Sequence, residues 1–421
     1  LTGYSYIQAA ALYAEASHSA FRFPELAKGM SPLDGIMVPT FGSLYLIVTF
    51  LFPFVAIRSL GAEKQSGALK LLVQLPYPVP ILLLAKLAAI SFAWLALLFP
   101  CLLALGFWAG AGGHLDSTEV ANLILGHFLY ALIIAAISLF AAALAESASS
   151  AALAAVGANF AFWILDFSAT GNDGLLKSLS GLSLTAVLRS FERGIFSMPA
   201  VLGSCAAALG IFSLAGTWLH PAGSPRTRLA WAATILVLTA LGLLASDQAP
   251  LFVDASEDRR NSFSRAEESG LKQASGRLEI EVFLAREDPR LYDLELSILG
   301  KLRRAMPDVE VIYTGEKFAG ALAGGEDLYG QVVYRYKGQE RWSRSSSEEE
   351  VLPLVFEVMG LSLPVKEEAS DYPGYPLLVQ TAWPKISFFG LLPLSVSLLW
   401  LTIQHPRENK RKIYGATECN K

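Results

Sequence analysis

Apolar runs alternate with short polar stretches along most of the chain. Runs with few or no charges occur at Val38–Ile57, Ile81–Trp108, Val120–Leu144, Ala151–Leu165, Met198–Leu219, Leu229–Ala245 and Lys385–Ile403. Each is near the roughly 20 residues that a helix needs to cross a bilayer. Pro53 and Pro100 lie inside two of them, where neighbouring helices can satisfy the carbonyls that proline frees. Gly and Ala dominate the fourth and fifth runs, which suits close helix packing. A soluble helical bundle would need charged faces between so many runs. The pattern predicts an α-helical polytopic membrane protein with about seven transmembrane helices.

The polar stretches predict other elements. Residues 1–37 read as a connecting segment, with a helix over Tyr4–Ala16 and breaks at Pro24, Gly29, Pro32 and Gly35. Arg58–Pro76 reads as one short amphipathic helix between the first two spans. Glu63, Gly67, Lys70 and Gln74 share one face, and Ala62, Leu69, Leu72 and Val73 share the other. Pro76 and Pro78 end it. Such a helix either lies passively on the bilayer surface or docks a soluble partner and passes force into the spans. Phe167–Phe196 is also polar and amphipathic.

Between the last two spans, residues 247–384 alternate differently. Leu278–Leu284, Val309–Tyr313 and Gln331–Tyr336 have strand patterns. Arg290–Met306 has helical period, with Leu291, Leu294, Ile298 and Leu302 on one face. Ser347–Met359 reads as a helix, with Ser347 and Glu350 spaced as a capping box and Pro353 in its second turn as a point of kinking. The β-α-β-β-α order is thioredoxin-like in outline.

Composition sharpens the division. The chain has 421 residues, 53% hydrophobic and 17% charged, against about 25% charged in soluble domains. Asp247–Pro384 holds 25 of the 37 acidic and 16 of the 33 basic residues, net −9, and the rest of the chain is net +5. An apolar, mildly basic membrane part thus carries an acidic insert long enough for its own core. Of three cysteines, Cys101, Cys205 and Cys419, none lies in the insert. The spacing supports no disulfide framework or zinc site, and a thioredoxin-like insert here would be inert in thiol chemistry.

Basic residues set the orientation. Arg58, Lys64 and Lys70 fall in one loop, Arg226 and Arg228 in the linker 220–228, and Arg407, Lys410, Arg411, Lys412 and Lys421 in the tail 404–421. These three stretches would be cytoplasmic. Residues 1–37, Ala109–Glu119 and the insert 247–384 would face the other side.

No GxxxxGK[ST] phosphate cradle is present, since Gly300-Lys301 is followed by Leu302, so P-loop hydrolysis of ATP is excluded. No HExxH, catalytic triad or supported carboxylate pair occurs. His127 lies within a span and is either a hydrogen-bonded structural residue or a functional intramembrane ionisable group. Lys86, one turn inside the second span, can snorkel to the cytoplasmic surface.

The stretch Glu63-x-x-x-Gly67-x-Leu69-x-Leu71-Leu72-x-x-x-Pro76 resembles the segment after the second span of ABC-2-type permeases, where it forms a coupling helix in a cleft of the ATPase. The family usually has Gly-Thr where this chain has Gly67-Ala68. Leu184-Thr185 and Phe191-Glu192-Arg193-Gly194 resemble the segment entering the last span of gliding-motility and copper-enzyme-maturation permeases, an outer segment over 167–196. After the linker 220–228 and the span 229–245, the phrase Asp254-x-x-Glu257-x-Arg259-Arg260-Asn261-Ser262-Phe263-Ser264 resembles the start of the outer domain of a gliding-motility auxiliary component. That domain is usually longer. Leu1–Pro39 contains no spanning run and no signal-peptide pattern, and a permease of this kind would carry a first span before it.

The resemblance implies a permease domain over 38–219 within a bacterial inner membrane, with an outer α/β domain at 247–384 before a last span at 385–403. It implies a non-catalytic subunit of an exporter. A separate ABC ATPase would bind ATP and Mg, and no cofactor would sit in this chain. Arg58, Glu63, Lys64, Gly67, Leu69, Lys70, Leu71, Leu72 and Pro76 would meet that partner. The permease would pair as a homodimer or pseudo-dimer among membrane lipids, with no nucleic acid. The cargo would be apolar or lipid-linked, given few polar residues in the spans. The alternative is a membrane scaffold that passes shape change to its outer domain and moves no solute.

Overall fold

The computed structural model describes residues 1–74, 79–168, 183–220, 224–249, 251–285, 288–306, 308–314, 328–364 and 372–402. Expectations on Pro76, on 169–182 and on the tail 404–421 lie outside the described residues. The chain is mostly helical. Among the described residues, six helices are long and apolar enough to cross a membrane: Leu33–Gln65, Val79–Gly110, Ser117–Leu144, Met198–Leu219, Pro225–Ser246 and Ala382–Thr402. This is a polytopic helical architecture. The seventh expected span lies in the helix Ala148–Ser168, whose apolar part, Ala148–Ile164, is shorter than the other six.

The first of these helices differs from its expected bounds. It starts at Leu33 and runs to Gln65, because Pro32 opens it rather than ending anything. Gly35 is not a breaker. It lies inside the helical stretch against the Tyr13 ring, and a Cβ there would come within 2.3 Å of the ring. The N-terminal helix is also longer than Tyr4–Ala16, spanning Thr2–Arg22.

The chain divides into two compact units, and two of the boundaries fall within the helices Leu33–Gln65 and Val79–Gly110. The first unit comprises Leu1–Ile47, Leu95–Leu115 and Pro373–Lys421. Tyr6, Tyr13, Ile36, Trp108 and Phe388 are buried in its core. Tyr375 is its main anchor. The Tyr13 hydroxyl donates to the Tyr375 carbonyl at 2.8 Å, the Tyr375 N–H donates to the Met30 carbonyl at 3.1 Å, and its ring stacks on His114 at 3.9 Å. The Leu377 N–H donates to the Ser17 hydroxyl at 2.9 Å. Three segments expected on one side of the membrane, near Tyr13, His114 and Tyr375, therefore converge. Gly374 makes the approach possible. Its φ is +64°, and a Cβ would lie 1.6 Å from the Ala27 carbonyl oxygen.

The second unit is Val48–Trp94 with Asp116–Tyr372. Its helical part is centred on Ser117–Leu144, buried along most of its length. Met198–Leu219 packs on that helix and on Pro225–Ser246. Gly210 faces Thr239 closely enough that a Cβ would meet its hydroxyl at 2.1 Å, the small-residue contact expected between spans. Strand β1, Ile195–Ser197, pairs antiparallel with β2, Phe252–Asp254.

The insert forms a four-stranded sheet. Its strands are β3 (Leu278–Val282), β4 (Val309–Tyr313), β5 (Val332–Tyr336) and β6 (Gln339–Ser343), ordered β4-β3-β5-β6. β3 and β4 are parallel, whereas β3–β5 and β5–β6 are antiparallel. Leu278, Ile280 and Val282 point inward between Glu279 and Glu281. Residues 289–305 are helical with one wide turn at Glu295–Leu299, and Leu291, Leu294, Ile298 and Leu302 are buried as their spacing predicts. Glu348–Val358 covers the sheet and runs through Pro353. The expected capping box at its start is not formed, since Ser347 makes no side-chain cap bond; the neighbouring Glu348 pairs with the buried Lys301 at 2.6 Å. A capping box does form on the short helix Arg265–Lys272, between Ser264 and Glu267. The sequence reading did not anticipate β6. It lies at the sheet edge with almost every residue exposed, so it lacks the inside–outside alternation that marks a strand.

Candidate functional site

The expected single helix over Arg58–Pro76 is two helices. The span helix continues through Arg58 to Gln65, and a second, Ala68–Gln74, follows. Ser66 caps the first, its N–H bonded to the Ala62 carbonyl at 3.0 Å. Gly67 turns the chain at φ +76° with open space around it. A non-glycine residue is disfavoured there by its own backbone rather than by crowding. The second helix starts in that turn, with the Lys70 N–H bonded to the Gly67 carbonyl at 3.1 Å.

This break redistributes the expected docking residues. Glu63 does not face outward: it forms an ion pair with Lys86, the lysine expected to snorkel. The Lys64 ammonium donates to three carbonyls, Ala142 at 3.3 Å, Ala143 at 2.9 Å and Ala145 at 2.6 Å. These belong to the C-terminal end of Ser117–Leu144, whose last carbonyls have no helical partner. Leu69 is buried and Leu72 half-buried, while Ala62, expected on the apolar face, is exposed. Arg58, Lys70 and Leu71 are exposed, Leu71 at 68%. The outward surface is therefore Lys70 and Leu71 beside the Gly67 turn, with Arg58 exposed earlier on the span helix, while Glu63 and Lys64 hold the turn to the bundle.

At the opposite end of Ser117–Leu144, the chain enters the insert through a second cluster. Asp254 organises it. Its carboxylate accepts from the Ser256 N–H at 3.0 Å and hydroxyl at 2.5 Å, the Asn261 N–H at 2.9 Å and the Ser262 hydroxyl at 2.9 Å. The phrase from Asp254 to Ser264 is thus a turn wound around one carboxylate. Asn261 Nδ2 donates to the Arg193 carbonyl at 2.8 Å, and the Ala255 N–H donates to the Gly194 carbonyl at 2.7 Å. The Glu257 N–H donates to the buried Glu119 carboxylate at 2.9 Å. A polar cleft of about 300 Å³ opens beside this turn, where Arg304, Lys301 and Lys272 meet Asp254 and Glu268. Burial lowers the Arg304 guanidinium from its usual value, and Asp254 and Glu268 work against that. Within this cluster, Arg304 donates to the Asn261 carbonyl at 2.6 Å.

The helix Leu184–Glu192 joins this cluster to the bundle. Ser183 caps it. Phe191 packs where Gly126 leaves room, since a Cβ at Gly126 would lie 2.4 Å from it. Asn122 Nδ2 donates to the Phe191 carbonyl at 2.9 Å, and His127 Nε2 lies 3.4 Å from a Glu192 carboxylate oxygen. His127 is buried and so has a named acidic neighbour, which the sequence reading did not supply. Among the described residues, no group of three His, Cys, Asp or Glu side chains could hold a metal. No family model, curated protein or solved structure matches the chain.

Proposed function

We propose that this chain is the permease subunit of an ABC-2-type exporter, a non-catalytic partner of a separate ATPase. The observation that carries this reading is the turn at Gly67. It presents Lys70 and Leu71 outward between two spans, with Arg58 exposed on the helix before it, while Lys64 ties the same turn to the end of the central helix. A partner that moves Ala68–Gln74 would pull on Ser117–Leu144 through that lysine. ATP and Mg would be bound by the partner chain, and two permeases would pair in the bacterial inner membrane.

The insert would face the extracytoplasmic side as a thioredoxin-like binding domain. Its sheet order, one parallel and two antiparallel pairings, supports that outline. In keeping with this reading, the helix ends at Lys64 and His220 are opposite the ends that carry Glu119 and Ser197.

The test is co-expression with an ABC ATPase and comparison of wild type with Leu71→Asp, Lys70→Glu and Arg58→Glu. Normal membrane insertion with loss of co-purification and of stimulated ATP hydrolysis supports the reading. Unchanged assembly in all three overturns it. A second reading is favoured by the Asp254 cluster, which fastens the insert to the bundle: a scaffold that transmits shape change outward and moves no solute. Vesicles containing the complex distinguish the two. ATP-dependent accumulation of an apolar or lipid-linked substrate requires the first.

A further inference from the structure

Three helix ends meet at the end of the second unit that carries the Gly67 turn: the start of Val79–Gly110, the end of Met198–Leu219 and the start of Pro225–Ser246. They enclose a cavity of about 660 Å³, within the roughly 300–1,000 Å³ typical of small-molecule sites. Its walls are apolar, with Leu83, Leu84, Leu209 and Phe212 prominent, and Trp231 also lines it. Leu84, Leu209 and Trp231 are more than half exposed, so the cavity opens sideways, where acyl chains would lie, rather than into a closed core.

The polar part has one sign of charge. Arg228 and His220 line it, and among the described residues no acidic side chain does. One Arg228 terminal nitrogen donates to the His220 carbonyl at 3.1 Å. That bond holds the guanidinium while its Nε is buried, without a hydrogen-bond partner among the described residues. A buried guanidinium N–H left unmade is costly. The Thr217 and Thr227 hydroxyls are already used by the backbone carbonyls of Leu214 and Ser224, so neither competes for a ligand. An apolar slot open to the bilayer, ending in one fixed guanidinium, matches a chain that carries a negative charge at its head.

We propose that this cavity binds an anionic phospholipid, its phosphate on Arg228 and one acyl chain along Leu83, Leu209 and Phe212. The lipid would wedge the start of Val79–Gly110 against Met198–Leu219. This site is independent of the coupling role proposed above, because it uses none of Arg58, Lys70 or Leu71.

The experiment is native mass spectrometry of the full chain, titrated with phosphatidylglycerol and with phosphatidylcholine of the same acyl chains. Wild type should retain phosphatidylglycerol about tenfold more strongly, the size expected for one charge-assisted hydrogen bond. Arg228→Gln should bind the two lipids equally. Ser213→Trp, which fills the slot, should weaken retention of both, and Thr217→Phe serves the same purpose if that variant does not fold. Arg341→Gln, on the outer sheet, should behave as wild type. No headgroup preference in wild type, a full preference in Arg228→Gln, or undiminished retention in the folded filling variant would each overturn the proposal.

Discussion

The ammonium of Lys64 lies 2.6 Å from the carbonyl oxygen of Ala145, 81 residues further along the chain. With Ala142 and Ala143 it completes the end of the central helix. A residue that the resemblance to coupling helices assigns to the docking surface is therefore an internal cap. Lys64→Met keeps the aliphatic stem and removes the donors. It should lower stability by about 1–3 kcal/mol, read by thermal unfolding in detergent. Lys70→Met, at an exposed position, should stay within about 0.5 kcal/mol of wild type. Equal effects of the two would contradict the cap.

Gly67 should be sensitive to backbone preference and not to bulk. At φ +76° in open space, Gly67→Ala should cost about 1 kcal/mol and Gly67→Asn less, because Asn tolerates the left-handed region better. Unfolding midpoints of the pair in detergent check this order. If the larger Asn is the worse of the two, crowding rather than conformation governs the position.

Asp254 should control the order of the turn after β2. Asp254→Ala strands several donors at once and should cost about 2–3 kcal/mol locally. Faster amide exchange at Ser256, Asn261 and Ser262, with little change in Ser117–Leu144, is the expected pattern. Uniform loss of protection along the chain would mean that the turn is not a separate element.

The four-stranded sheet closes its own core, from Phe263 through Met359, so residues 255–372 should express as a soluble, monomeric domain. Its acid response has a specific sign. Hydrogen bonds from Arg290 hold the Asp288 carboxyl down to about 2. The stability this contributes is fully present above the usual aspartate range and is lost as pH falls from about 4 to about 2. Arg290→Gln should move the Asp288 titration up towards its ordinary value, followed by carboxyl NMR. Burial pushes Glu295 the other way, upward, so protonating that group favours the fold as pH falls. A midpoint for Asp288 unchanged by the substitution would remove Arg290 as the cause.

Gly374 admits no side chain. A Cβ would lie 1.6 Å from the Ala27 carbonyl oxygen, at φ +64°. Gly374→Ala should cost more than about 3 kcal/mol and release the strand-like segment around Tyr375 from the N-terminal helix. Protease sensitivity near Tyr375 would report it. A Gly374→Ala protein as resistant as wild type would contradict the packing described above.

Much of the fold is legible because burial repeats with a period. The spans are continuous apolar runs, and Leu278, Ile280 and Val282 alternate. The missed elements lack that signal. Gln339–Ser343 is a charged edge strand, and β1 and β2 have three residues each. The same serine–glutamate spacing occurs at Ser347 and Ser264, but only Ser264 caps its helix. Ser347 makes no side-chain cap bond, and the adjacent Glu348 pairs with Lys301, 47 residues away, which nothing local predicts. The single helix expected over Arg58–Pro76 is two helices for a related reason. Ser66-Gly67 is a helix stop, but the wheel ran through it, and the partners of Glu63 and Lys64 lie 23 and about 80 residues away.

The Tyr13 hydroxyl finds its acceptor 362 residues later. At a synthesis rate of about 5–20 residues per second, the N-terminal helix waits roughly 20–70 s for Tyr375 to leave the ribosome. During that interval the faces of Tyr6, Tyr13 and Ala10 that end in the core lack the segment that finishes it. The central spans, whose contacts are closer in sequence, can assemble first. The helix Thr2–Arg22 is thus locked only after nearly all of the residues that follow it have been made, and its biogenesis is most exposed during that interval.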